Sequence, residues 1–209
     1  MVYLTVILIS SLIIAVCNCL FVAPNYGHSV WQVALYVSLS VIAAIIIDGV
    51  FAAFVRRCLP QKWFSRDKKL WSAGKKECAF YEKIGIKKWK DKVLDLGIFT
   101  GLRKNKISEP NNNDYIERYI IEANFGVCCH IPGVIFGYLV CLIFPNYWYS
   151  IGLPVGFVKM VLNGLALITL RYNLPKLRTL YSLNERRAKR KAESVDCNDF
   201  NENERAIAS

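Results

Sequence analysis

Apolar positions along the chain gather into four long runs, and charged side chains keep almost entirely out of them. Residues 2–22 contain no Lys, Arg, Asp or Glu, and the run from Val30 to Phe54 is broken only by Asp48. The runs from Phe125 to Phe144 and from Trp148 to Leu170 follow, the last of them holding Lys159. A helix crosses the roughly 30 Å hydrocarbon core with about 20 residues. Backbone polar groups find no water there, so each run is expected to be helical. Pro24-Asn25-Tyr26-Gly27 and Pro145-Asn146-Tyr147 carry turn chemistry between consecutive runs. The pattern predicts an all-α integral membrane protein. Four transmembrane helices form two hairpins joined by a basic cytoplasmic segment. The divisions expected are a first hairpin over 1–55, an amphipathic cytoplasmic segment over 56–122, a second hairpin over 123–171 and a tail over 172–209. The first run reads as a retained helix, because no basic region precedes it and no small-residue cleavage pattern follows it.

Charge supplies the orientation. Of the 27 Lys and Arg, 17 lie in residues 56–118, nine lie in 171–205, and the last is Lys159. Segments kept in the cytoplasm retain positive charge. The expectation is a multi-pass cell-membrane protein with both termini and the central segment cytoplasmic. In that setting the net charge of +11 points to membrane lipids with anionic headgroups and not to nucleic acid. It would also steer an anionic co-substrate. The eight cysteines include no CxxC pair. They read as reduced, apolar side chains, and no metal site is expected.

Within the basic segment, Trp63, Phe64, Trp71, Phe80, Tyr81 and Trp89 alternate with lysines, which suits an element at headgroup depth. A helix interrupted at Gly85 is expected within 75–96. Asp114 is the expected N-cap of the helix that enters the third span. Past Arg171-Tyr172-Asn173-Leu174-Pro175 a separate basic helix is expected over Arg178–Lys191, and residues 192–209 read as disordered.

Few side chains suit chemistry. His130 lies inside a span, where an ionisable group is costly, and histidine is the usual base near neutral pH. A neutral histidine bonded to a neighbouring helix's carbonyl explains the same position. Glu122 stands eight residues earlier, about 12 Å away and some 80° round the helix. The two therefore cannot bond directly but can line one cavity. Lys159 and Asp48 read as a packing ion pair or a water-reached lysine, set about two turns apart in depth. Arg171-Tyr172-Asn173 reads either as a positive stop with an aromatic anchor or as an anion clamp. Lys87-Lys88-Trp89-Lys90 carries the same two readings.

Several of these pieces recur together. Tyr81-Glu82, Lys88-Trp89-Lys90 and Leu94-Asp95 are followed by Tyr119-Ile120-Ile121-Glu122 with His130 eight residues on. Met160, Asn163, Arg171-Tyr172-Asn173 and Pro175 complete the order. Over residues 77–180 the chain resembles the glycosyl-diaponeurosporenoate acyltransferase family, small membrane enzymes of staphyloxanthin-type carotenoid biosynthesis. It departs from the family pattern at Phe125 and Val127, where the family has Arg and Glu. It departs again at Ile131 for Trp, Leu170 for Gln and Leu174 for Arg, which marks a divergent member. The resemblance implies transfer of a fatty acyl group from acyl-CoA or a similar thioester to a hydroxyl of a glycosylated carotenoid or similar glycolipid, with no bound cofactor. At the positions the resemblance marks, residue chemistry makes His130 the best candidate base, with Glu122, or Asp95 folded back from the loop, to orient it and Asn163 or Arg171 to donate to the oxyanion. Lys88, Trp89, Lys90, Arg171, Tyr172 and Asn173 are the implied substrate contacts. The rival class is a non-enzymatic membrane scaffold or transporter accessory protein that descends from this family. The two classes differ on whether His130 and Glu122 share a cavity.

Overall fold

The computed structural model describes residues 2–93 and 107–207. Among these residues all regular structure is helical. Four helices are long and apolar enough to cross a membrane: Tyr3–Phe21, Val30–Cys58, Asn113–Leu142 and Pro145–Lys191.

The first pair is α1 (Val2–Phe21) and α3 (Val30–Cys58), joined through the single turn α2 (Ala23–Tyr26). Gly27 follows α2 at φ 67°, a conformation that favours glycine. Ser29 then starts α3 with a reciprocal cap, its hydroxyl accepting from the Gln32 N–H while the Gln32 side chain accepts from Ser29 N–H. The hairpin hides little of itself. Leu8, Leu12, Leu20, Trp31, Leu35 and Ile46 all face outward. An apolar surface of this extent suits lipid and not water. Val33, Val37 and Ala44 turn inward against Ile14, Val140, Ile151 and Val155. At the turn end, the Tyr147 ring sits 5.5 Å from His28 and 5.4 Å from Tyr36, so the two hairpin turns meet through aromatic rings.

The second pair is α6 (Asn113–Ile135), continued as a 3-10 helix over Phe136–Leu142, and α7 (Leu153–Ile207), entered through a π turn at Trp148–Gly152. The cap of α6 is Asn112, whose side chain accepts from the N–H groups of Asp114 and Tyr115. Asp114, the cap expected from sequence, instead lies in the first turn, where a carboxylate favours the helix dipole. Glycines allow the helices to approach closely. A Cβ on Gly152 would lie 2.8 Å from Cys141 Cα, and one on Gly156 would lie 2.8 Å from the Tyr138 ring. Small residues at such crossings are the usual means of packing helices in lipid.

On the basic side both helices run on past their apolar spans. Ile116, Tyr119, Ile120, Ala123 and Val127 of α6 pack on Leu170, Leu174 and Leu177 of α7. Here the structure departs from two expectations. No break occurs at Pro175, and α7 continues as helix to Ile207, where disorder was expected. Proline removes the bond to the carbonyl four residues back, here that of Arg171. That carbonyl accepts from Ala73 N–H at 3.0 Å, so the helix loses a rung without leaving an acceptor bare. Beyond it, Glu185 to Glu193 is dense in Arg, Lys, Ala and Glu, residues that favour helix.

The central segment lies against this extended pair. Short 3-10 turns at Gln61–Phe64 and Lys69–Trp71 lead to α4 (Lys75–Lys83) and α5 (Ile86–Trp89). Phe64 is fully buried, stacked 3.9 Å from Phe125, and its carbonyl accepts from Asn124 Nδ2 at 2.9 Å. Arg178 reaches back to donate to the carbonyls of Arg66 and Lys68.

Gly152→Val places branched carbons against the Cys141 backbone, which cannot yield as a side chain can. Overpacking of this kind costs about 1–3 kcal/mol. A lowered unfolding midpoint in detergent is the expected result, read by helical circular dichroism during heating.

Candidate active site

Inside the apolar spans four polar side chains from three helices form one connected group. His130 projects from α6, Lys159 and Asn163 from α7, and Asp48 from α3. His130 Nδ1 lies 2.8 Å from Asn163 Oδ1. Asn163 Nδ2 donates to Asp48 Oδ2 at 3.1 Å and to the Lys159 carbonyl at 3.2 Å. Lys159 Nζ stands 3.1 Å from Asp48 Oδ1. Lys159 and Asn163 are buried, while the Asp48 side chain is 38% exposed.

Sequence dictates the arrangement. Lys159 and Asn163 are four residues apart on α7 and so lie on one face. Gly133 opens α6 at the crossing, since a Cβ there would fall 2.5 Å from Asn163 Oδ1. His130, one turn earlier on the same helix, then reaches that oxygen. The two-turn depth difference expected between Asp48 and Lys159 does not prevent their contact, and the ion pair forms.

The amide of Asn163 fixes the imidazole tautomer. Its NH₂ is committed to two acceptors, so its oxygen faces His130 as an acceptor. Nδ1 is then the donor to that oxygen, and a singly protonated ring would carry its lone pair at Nε2. That is the tautomer a general base requires, held by a partner at the other nitrogen.

Glu122 does not join this group. Its carboxylate pairs with Arg56 at 2.5 Å, and Arg56 also lies over the Phe125 ring. The orienting partner of His130 in the structure is Asn163. Asp95, the other expected orienting residue, lies outside the described residues.

The expected substrate contacts form a second cluster on the basic side. Arg171 forks onto Glu77, Nε to Oε1 at 2.7 Å and Nη2 to Oε2 at 2.8 Å, and also donates to the carbonyls of Leu70 and Ser72. Tyr172 donates to Glu82 at 2.8 Å, and Lys87 pairs with the same carboxylate at 2.9 Å. Lys176 lies 4.0 Å above the Tyr172 ring. Trp89 donates to the Ile84 carbonyl at 3.3 Å and packs with Tyr81, Ile86 and Tyr172. Lys88 is exposed, Lys90 is half-buried with Asp91 3.9 Å away, and Asn173 is half-buried on α7. The Arg-Tyr-Asn unit thus fastens α4 and α5 to α7, with its arginine taken up by a carboxylate.

Electrostatics follow the geometry. The Arg171 fork, with Tyr81 as a further donor, holds the Glu77 carboxyl down at about 2. Burial and that same carboxylate push the Tyr81 hydroxyl up to about 12. Sequence reasoning missed Glu77, Asn124 and the Arg56–Glu122 pair. Gly74-x-x-Glu77 signals a helix start, since Glu77 accepts from Gly74 N–H. Nothing local signals its bond to an arginine 94 positions away.

Comparison with known proteins assigns a family. The family profile of the glycosyl-4,4'-diaponeurosporenoate acyltransferases matches residues 60–183. The chain belongs to that family. No curated protein and no solved structure matches it. The matched region contains His130, Lys159, Asn163, Glu77 and Arg171, whereas Asp48 and Arg56 come from the hairpin before it.

Glu77 gives a pH dependence with a defined sign. A carboxyl held below its usual value near 4.5 contributes stability that is complete above that value. The contribution fades as pH falls from there toward about 2. Amide hydrogen exchange in α4 should therefore accelerate across that window. Glu77→Gln should exchange faster at neutral pH and lose most of the acid dependence.

Proposed function

We propose that this protein transfers a fatty acyl group from a thioester such as acyl-CoA to a hydroxyl of a glycosylated carotenoid or similar membrane glycolipid. The observation that carries the proposal is the His130–Asn163–Asp48 chain within the apolar helices of a member of this family. The acceptor hydroxyl gives its proton to His130 Nε2 as its oxygen attacks the thioester carbonyl carbon. The tetrahedral intermediate then expels the thiolate, which recovers the proton from the imidazolium. Asn163 holds the ring, and Asp48 holds Asn163 and lends negative charge two bonds from the imidazolium. With Arg171 engaged by Glu77, the donor's phosphates fall to Lys88, Lys90 and the basic face of α7 around Arg186 and Lys189. No metal or resident cofactor is invoked.

A second reading rests on a specific observation. Phe125, Val127, Leu170 and Leu174 are apolar where the family pattern is polar, and all four are buried. A scaffold descended from the family would show this too. The assay that separates the readings is transfer of a labelled acyl group into membrane glycolipid by isolated membranes. His130→Ala should lower transfer about 10²–10⁴-fold with membrane insertion unchanged. Asn163→Ala should lower it less, because the base remains while its orientation is lost. Full transfer by His130→Ala excludes the mechanism, and no transfer by the unaltered protein with any thioester tried favours the scaffold.

The orientation proposed is cytoplasmic for both termini and for residues 56–122, since the two hairpin turns hold no Lys or Arg. Single cysteines are introduced into a background lacking the native eight. An impermeant thiol reagent applied to intact cells should label Asn25→Cys and spare Asn112→Cys. The reverse result would invert the topology.

A further inference from the structure

Asn163 and Asp48 also line a cleft whose lining does not include His130. The cleft lies between α1, α3 and α7 and holds about 90 Å³. One end is polar, with Asp48, Lys159 and Asn163, and the rest is walled by Ile7, Ile14, Val41, Ile45, Val155 and Leu162. From Tyr3 to Ile14 the lining follows three turns of α1, about 16 Å at 1.5 Å per residue. Ser10 and Ser11 line its middle. Their hydroxyls are turned back onto the Ile7 carbonyl, which leaves that stretch smooth and narrow-walled.

The polar end has unused capacity. The Lys159 side chain is 5% exposed, and its Nζ makes no hydrogen bond among the described residues beyond its ionic approach to Asp48. Asp48 Oδ1 likewise accepts none. An ammonium carries three N–H donors, and leaving them unmade at mid-span is costly. Lysine and aspartate together are neutral. A phosphate or carboxylate placed there would meet the Asp48 carboxylate. A neutral carbonyl oxygen can accept from Nζ without that repulsion.

We propose that this cleft is the acyl-chain site: it seats the hydrocarbon chain of a fatty acyl group whose carbonyl oxygen accepts a hydrogen bond from Lys159. The inference rests on the acyl-transfer reading and adds the place of the donor's chain. It gives the first hairpin, which lies outside the matched family region, a part in binding. As the carbonyl is attacked its oxygen gains negative charge, and Lys159 is then its stabilising donor. Ile14, Val41 and Val155 line its apolar part, and the length of that part sets the chain accepted.

The test uses the full-length protein in detergent and a fatty acyl-CoA that carries a diazirine at the chain end. Irradiation should label Ser10, Ser11, Ile14, Val41 or Val155. Lys159→Met should reduce that labelling at least tenfold, and the free fatty acid with the same diazirine should label more weakly than the thioester. Ser11→Phe, with Ser10→Phe as a second variant, should lower transfer from long-chain donors at least tenfold relative to short-chain donors. Label spread over the outward-facing Leu8 and Leu12 would mark ordinary lipid contact and overturn the proposal. Equal effects of Ser11→Phe and Ser10→Phe on every chain length would also overturn it. Specific labelling with no acyl transfer would keep the site and remove the enzymatic reading. Transfer with no label in the cleft would do the opposite.

Discussion

The structure depends on one constraint, the burial of polar side chains where no water can solvate them. A lysine at the centre of a span costs about 3 kcal/mol even by lenient insertion scales. Lys159 meets part of that cost through its ion pair with Asp48, Asp48 is shared with Asn163, and Asn163 is shared with His130. Because each group contacts the next, α3, α6 and α7 are tied together at one depth. Nonspecific packing of Leu and Ile against lipid-like neighbours provides no such register. Removing one partner from a buried pair is typically worth about 3–5 kcal/mol of destabilisation, because the other charge is left behind. The first hairpin, which hides few of its own residues, is therefore located largely by what Asp48 must reach.

A second, smaller accounting of polar groups places the basic central segment. Pro175 frees the Arg171 carbonyl, and Ala73 N–H fills it. The Arg171 side chain at the same residue takes Glu77, and Tyr172 takes Glu82. Backbone and side chains of two consecutive residues thus hold one docking site for α4. Charged hydrogen bonds of this bidentate kind are geometrically selective. The helix interruption that proline would ordinarily cause is converted into an attachment point.

The four helices were legible because a membrane leaves only one solution to an uninterrupted apolar run, and His130, Lys159 and Asp48 stood out as ionisable residues within such runs, whereas Asn163 was marked only by the family resemblance. What joins them was not legible. Periodicity assigns a residue to a face of its own helix, but the partner across the bundle depends on helix crossing and depth. Gly133 fixes that crossing without any charge or motif to announce it. The orienting role considered for Glu122 is not seen for the same reason, since its carboxylate pairs with Arg56 from α3. Pro175 misled in the opposite direction. Its local chemistry says helix end, and only a distant N–H group shows that the freed carbonyl is satisfied.

The departures from the family pattern fall together in space. Val127, Leu170 and Leu174 belong to one packed cluster between α6 and α7, and Phe125 stacks on Phe64 beside it. Replacing a single member of a buried polar group leaves its partners unsatisfied, whereas replacing all of them with apolar residues is near neutral. Three of the four share one apolar cluster, and Phe125 packs in a second with Phe64 and Val55. One turn deeper, His130, Asn163 and Asp48 keep their hydrogen bonds intact. The repacking ends where Gly133 and Asn163 begin. The Lys159–Asp48 pair and the bonds of Asn163 are polar contacts inside the span, and they, more than the basic surface above, hold α3, α6 and α7 at one depth.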